Sequence, residues 1–119
     1  MKKKIIFMGT PSYATEIFKE LLANKNYEVV AIFTQEDKPV GRKQLLTPPD
    51  IKQYCLENGL DIPILQPKKI KDNLAAYIAI TELKPDFIVV AAYGQILPKE
   101  ILKVAPCINL HASILPNYR

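Results

Sequence analysis

The chain has 119 residues, 49% of them hydrophobic and 24% charged, and its 16 Lys and Arg against 12 Asp and Glu leave a net charge of +4. That size fits one domain able to bury about two thirds of its unfolded surface, and the composition excludes a disordered chain, a collagen and a disulfide scaffold. No apolar run approaches the ~18 residues of a membrane span, and so mild a charge permits an anionic partner without requiring one.

After the opening lysines Ile5, Ile6, Phe7 and Met8 form an apolar run within residues 4–8. The run is too short for a signal peptide and is stopped by Gly9 and Pro11, so it reads as a buried first strand. Ala14, Ile17, Phe18, Leu21 and Leu22 then follow the spacing of an amphipathic helix, with Thr10 or Ser12 as its cap and Pro11 at its first position. Residues 28–33 are the second strand. The connection over residues 34–49 is long for an α/β unit, where ~2–6 residues are usual, and long loops are often functional. Ile51, Tyr54 and Cys55 mark a short helix closed by Asn58 and Gly59. Residues 62–65 form a short strand, which Pro63 confines to an edge.

A second helical stripe follows at Ile70, Leu74, Tyr77 and Ile78 and ends before Pro85. Residues 86–92 are apolar almost throughout, so both faces of that strand must be covered, as in a parallel sheet. Residues 93–98 read as a loop, Pro98 opens a short helix to Leu102, residues 107–111 form the last strand, and residues 112–119 trail away as loop. This alternation predicts an α/β fold: a doubly wound, Rossmann-like parallel sheet of strand order 3-2-1-4-5 with helices on both faces. Ligands are expected beyond the carboxyl ends of strands 1, 4 and 5, where the winding reverses. Such a sheet seldom stops in a loop after a strand, so residues 1–119 are expected to be the N-terminal part of an incomplete catalytic domain.

Several chemistries are missing. The turn after strand 1 reads Gly9, Thr10, Pro11, Ser12 and is not a dinucleotide fingerprint, and no P-loop is present. A single His leaves no cluster with metal spacing. Cys55 and Cys107 form no C-x-x-C pair and read as ordinary buried thiols in a reducing cytosol, which makes a cytoplasmic location the expectation.

Asn109 and His111, two apart on the last strand, share a face at the expected switch point. Two polar residues ending an apolar strand are costly in a dry core but available at a cleft mouth. There the imidazole can exchange protons and the amide can donate to a developing oxyanion. The alternative is a turn-capping Asn and a satisfied surface His. Tyr93, Gly94, Gln95 and Ile96 end the neighbouring strand; their backbone could read the edge of a planar heterocycle, or they could be no more than a tight turn. Ser113, Ile114, Leu115 and Pro116 could wall the same cleft. Lys38, Arg42 and Lys43, with Gly41 as a hinge, could close residues 34–49 over an anionic substrate, although Glu36 and Asp37 dilute the charge and a solvated surface loop is the plainer reading.

Residues 107–119 resemble the N-x-H-x-S-[LI]-L-P-x-x-R signature of folate-dependent formyltransferases. Residues 6–14, 34–42, 64–67 and 89–98 resemble, in order, the branch of that family that acts on methionyl initiator tRNA, and the segment ending at Arg42 is what points to that branch. The resemblance implies transfer of a formyl group from 10-formyltetrahydrofolate to the α-amino group of methionine on initiator tRNA, without a metal. It implies that Asn109 and His111 are catalytic, that Ser113 to Pro116 and Tyr93 to Ile96 contact the folate, and that the segment around Arg42, with Lys38 and Lys43, meets the tRNA acceptor end. The family's third catalytic group, a downstream Asp, and its separate C-terminal tRNA-binding domain have no counterpart in residues 1–119, so little turnover is expected from this stretch alone. Two rivals remain open: a formyltransferase of the same fold acting on a glycinamide ribonucleotide or an amino sugar, and a non-catalytic ligand-binding α/β domain.

Overall fold

Ile5, Ile6, Phe7, Met8 and Gly9 are buried in succession, as only a strand covered on both faces allows. In the computed structural model, which describes residues 1–110, they belong to β1 (Lys3–Gly9), the central strand. The chain continues through α1 (Ser12–Ala23), β2 (Tyr27–Phe33), β3 (Lys38–Val40), β4 (Leu45–Thr47) and α2 (Asp50–Glu57). It then passes through β5 (Ile64–Leu65), α3 (Leu74–Leu83), β6 (Phe87–Ala91), α4 (Lys99–Leu102) and β7 (Cys107–Asn109).

The main sheet runs β5-β2-β1-β6-β7, and every pairing in it is parallel. Counted within this sheet alone, that is the expected order 3-2-1-4-5; the numbering differs only because β3 and β4 form a separate two-stranded ribbon. Ile5, Phe7, Val29, Ile32, Val89 and Ala91 pack against Ala14 and Phe18 of α1 and Ile51 and Cys55 of α2. Ile6, Met8, Ala31, Phe33, Ile88 and Val90 pack on the other side against Ala76 and Ile80 of α3 and Ile101 of α4. A register shift between Ile5 and Ile6 accommodates one extra residue in β2, which is why Val29 and Ala31, opposite successive β1 residues, lie on different faces. Phe18 meets Tyr54 edge-on at 6.2 Å between ring centroids, fixing α1 against α2.

Three sequence expectations need correction. Residues 34–49 are not an open loop: β3 and β4 pair antiparallel from Lys38 opposite Thr47 to Val40 opposite Leu45. Gly41 at φ 77° and Gln44 at φ 53° turn the ribbon, and Gln44 Nε2 donates to Gly41 O at 2.9 Å. Second, neither Thr10 nor Ser12 caps α1. Pro11 holds the cap position, and its carbonyl accepts from Ala14 N at 3.0 Å. The Thr10 hydroxyl is engaged elsewhere, donating to Tyr93 O at 2.8 Å. Third, Ile70 precedes α3 rather than belonging to it. Asn73 caps that helix by accepting from Ala76 N at 3.0 Å, and the buried face is Ala76 and Ile80 while Leu74 and Ile78 are exposed. The expected last strand is formed over Cys107–Asn109; its continuation to His111, and the loop beyond, lie outside the described residues.

Gly9 lets α1 approach the sheet. A Cβ there would lie 2.7 Å from the Ala14 Cβ and 2.9 Å from Ala91 O, too close for either to be left in place. Gly9→Ala is expected to lower unfolding stability by about 1–3 kcal/mol, the usual cost of forcing atoms into a filled interior. Urea denaturation followed by circular dichroism measures it, and an unchanged midpoint contradicts the packing described.

Candidate functional site

Because helices cover both faces of the sheet, polar groups collect beyond the carboxyl ends of its strands. There β6 leaves the sheet through an abrupt bend. Ala92 has φ 55° and Gly94 φ 101°, so two left-handed residues flank Tyr93. A left-handed alanine costs about 1–2 kcal/mol, and the surroundings hold it. The Tyr93 ring is buried in the core beside Ile70, Ile101 and Ala105, and its carbonyl accepts from Thr10. Burial pushes the Tyr93 phenol up to about 12, so it stays protonated at neutral pH.

This bend forms one wall of a cleft of about 340 Å³, lined by Tyr13, Val90, Ala92, Tyr93, Gly94, Gln95, Ile96 and Asn109. Asn109 pairs with Val90 across adjacent parallel strands, which sets its residue beside the bend. It is exposed at the cleft. Ile96 is 91% exposed and supplies an apolar rim. A larger depression of about 430 Å³ lies between α3 and α4, but its Lys84, Pro85, Lys103 and Val104 precede the amino ends of β6 and β7, away from the switch point.

The four residues of the bend contribute differently. The Tyr93 side chain turns into the core. The Gln95 side chain is held by protein groups: Oε1 accepts from Ile70 N at 2.7 Å, and Nε2 donates to Gln35 Oε1 at 3.0 Å, Pro67 O at 3.2 Å and Lys68 O at 3.3 Å. What these two residues offer the cleft is main chain. No motif in the sequence marks Tyr13, Gln35 or Gln66 as neighbours of the site. The available signal was position, since Gln35 and Gln66 are the first amides after the apolar ends of β2 and β5.

The ribbon is rooted beside the cleft. Asp37 accepts from Gln66 Nε2 at 2.7 Å and from Lys52 Nζ at 3.1 Å, and Lys52 Nζ also donates to Gln66 Oε1 at 2.9 Å. Beyond this root every residue of β3 and β4 is exposed, and so are Arg42 and Lys43 at the turn. Lys38, Arg42 and Lys43 thus sit on a projecting arm, not against the cleft floor. His111, Ser113, Ile114, Leu115 and Pro116 lie outside the described residues. Among the described residues no group of three or more His, Cys, Asp or Glu is placed to hold a metal, and no helix is long and apolar enough to cross a membrane. Cys55 and Cys107 are free thiols, and burial raises both above the ordinary thiol range, which suits packing residues rather than nucleophiles.

A formyl transferase family matches residues 2–119. Among curated relatives, the chain is 68% identical over 118 residues to a protein of Campylobacter lari, 62% over 117 residues to one of Campylobacter fetus subsp. fetus, and 61% over 116 residues to one of Nitratiruptor sp.. Each of these relatives is named methionyl-tRNA formyltransferase. The matches take in 98% of this chain but only 38%, 38% and 37% of those relatives, so the chain spans less than two fifths of their length.

The Gln66 amide, and after it the Lys52 ammonium, hold the Asp37 carboxyl below the usual carboxylate range. A lowered value means that the root gains from ionised Asp37 above the ordinary value of about 3.9 and loses that gain as pH falls through the lowered one. The Asp37 carboxyl carbon, followed by NMR, is expected to titrate below the ordinary midpoint, and Gln66→Leu is expected to raise that midpoint. An Asp37 midpoint at or above the ordinary value contradicts the root geometry.

Proposed function

Since the chain belongs to the formyl transferase family, we propose that it forms the folate-binding part of an enzyme that moves a formyl group from 10-formyltetrahydrofolate to the α-amino group of methionyl initiator tRNA at the start of translation. The observation that supports this most directly is the juxtaposition of the Asn109 carboxamide with the bent main chain at Ala92 and Gly94, in one cleft at the carboxyl ends of β6 and β7. A planar pteridine needs such a slot: main-chain groups to read its edge and apolar atoms, here Val90 and Ile96, to cover its face.

In this reading the amino nitrogen, whose pKa near ~7.7–8.0 leaves much of it unprotonated at neutral pH, forms a bond to the formyl carbon. The carbonyl electrons move onto oxygen, where Asn109 Nδ2 donates a hydrogen bond to the developing oxyanion. The bond from the formyl carbon to the folate nitrogen then breaks, and the proton lost by the amine goes to that nitrogen. His111 is assigned the proton relay, and Ser113, Ile114, Leu115 and Pro116 the remaining folate contacts. Lys38, Arg42 and Lys43, projecting on the ribbon, are assigned to the phosphates of the tRNA acceptor end. The reaction needs no metal, and it places the protein in the cytoplasm with the translation machinery. The share of the relatives' length beyond this chain leaves room for a separate tRNA-binding domain and for the carboxylate that would orient the imidazole.

The test is a formylation assay with the full-length gene product, using charged initiator tRNA and, in parallel, small amines. Asn109→Ala is expected to lower kcat by about 10²–10³-fold, the usual loss for one oxyanion donor, with little change in KM. Arg42→Ala is expected to raise KM for tRNA while sparing small-amine use. Equal effects of Arg42→Ala on both substrates point to a small-amine formyltransferase. No reduced-folate binding at all points to a non-catalytic domain.

A further inference from the structure

We propose that Gln35 is a positioning residue that couples the exposed ribbon to the cleft, so that a ligand seated on one orders the other. The proposal rests on the reading of the cleft as the folate site and of the ribbon as the tRNA contact. Gln35 lies two residues beyond the end of β2 and three before β3. Its Nε2 donates to Gly94 O at 3.3 Å, its Oε1 accepts from Gln95 Nε2 at 3.0 Å, and its own carbonyl accepts from Gln66 Nε2 at 3.0 Å. One residue thus ties together the chain ends beyond β2, β5 and β6.

Three features make this a coupling rather than incidental contact. The bonds are between neutral amides, individually weak enough to exchange. Gly94 is shaped by the same residue: with φ 101° it tolerates no ordinary side chain, and any Cβ there would collide with the Gln35 carboxamide. Finally, β3 and β4 are exposed along their whole length, so among the described residues what steadies the ribbon beyond its own pairing acts at its root. A ligand that fixes the main chain at Gly94 and Gln95 therefore holds Gln35, and with it the segment from which Lys38 and Arg42 project. By linkage, a nucleic acid held on the ribbon tightens folate binding by the same factor.

Hydrogen exchange on the full-length gene product, with and without 5-formyltetrahydrofolate as a stable probe, tests the coupling. In the unaltered protein the probe is expected to slow exchange at residues 93–96 and also, by about fivefold or more, at residues 38–47. In Gln35→Ala, slowing at 93–96 is expected to persist while that at 38–47 disappears. Gln35→Met, which fills the space without either side-chain hydrogen bond, is expected to match Gln35→Ala. Ribbon exchange that stays fast in the unaltered protein while 93–96 slows, or that slows equally in both variants, overturns the proposal. If 93–96 fails to respond, the folate reading falls separately, and the ligand-free comparison decides the coupling. There Gln95→Ala is expected to speed ribbon exchange severalfold, and an unchanged ribbon overturns it.

Discussion

A parallel sheet with helices packed on both sides has no place for polar side chains along its central strands. In this chain β1, β2 and β6 obey that constraint, with Ile6, Met8, Phe33 and Ile88 on one face and Phe7, Ile32 and Ala91 on the other, all essentially sealed from solvent. Burying charge or an unpaired amide among them would cost several kcal/mol. The polar chemistry is therefore displaced to the strand ends, and Thr10, Thr34, Gln35, Gln66, Gln95 and Asn109 all come within two residues of one or, for Gln95, just past the bend that ends β6. The cleft follows from the core by exclusion.

At those ends the structure spends its polar groups in two ways. One set closes on itself: Thr34 donates to Thr10, Thr10 to Tyr93 O, and the three glutamines bond to one another and to nearby main chain. The other set is left open, with Asn109 exposed at the cleft and the ribbon's lysines and arginine in solvent. The closed set holds a strained bend at Ala92 and Gly94 that the open set can use. Strain retained at one place by hydrogen bonds from several elements is a common mark of a binding site.

Much of this was legible in the sequence. The near-continuous apolar run at residues 86–92 required a strand covered on both sides, and Pro63 placed residues 62–65 at an edge; both follow from local chemistry. The ribbon escaped notice because Lys38, Pro39 and Val40 pair with Leu45, Leu46 and Thr47 without any buried face, so no alternation of polar and apolar residues marks them. Thr10 resembles a cap for α1 in the sequence, but the competing partner of its hydroxyl, Tyr93 O, is 83 residues away and invisible to local reading. The Gln95 side chain, a plausible ligand contact from its position, is instead bound to Ile70, Pro67, Lys68 and Gln35, again through contacts distant in sequence. The place of Asn109 at the cleft was readable because a polar residue at the end of an apolar strand, beside the expected switch point, belongs at a strand end and not in the core.

The central claim is that a reduced folate sits in the cleft between Asn109 and the β6 bend. NMR of the full-length gene product, observing side-chain amides of Asn and Gln together with the main chain, tests it directly during titration with 5-formyltetrahydrofolate. The account predicts saturable shifts of the Asn109 carboxamide and of the Ala92, Gly94 and Ile96 amides. Shifts clustered instead around Lys84 and Lys103 in the depression between α3 and α4, with Asn109 unmoved, would contradict it.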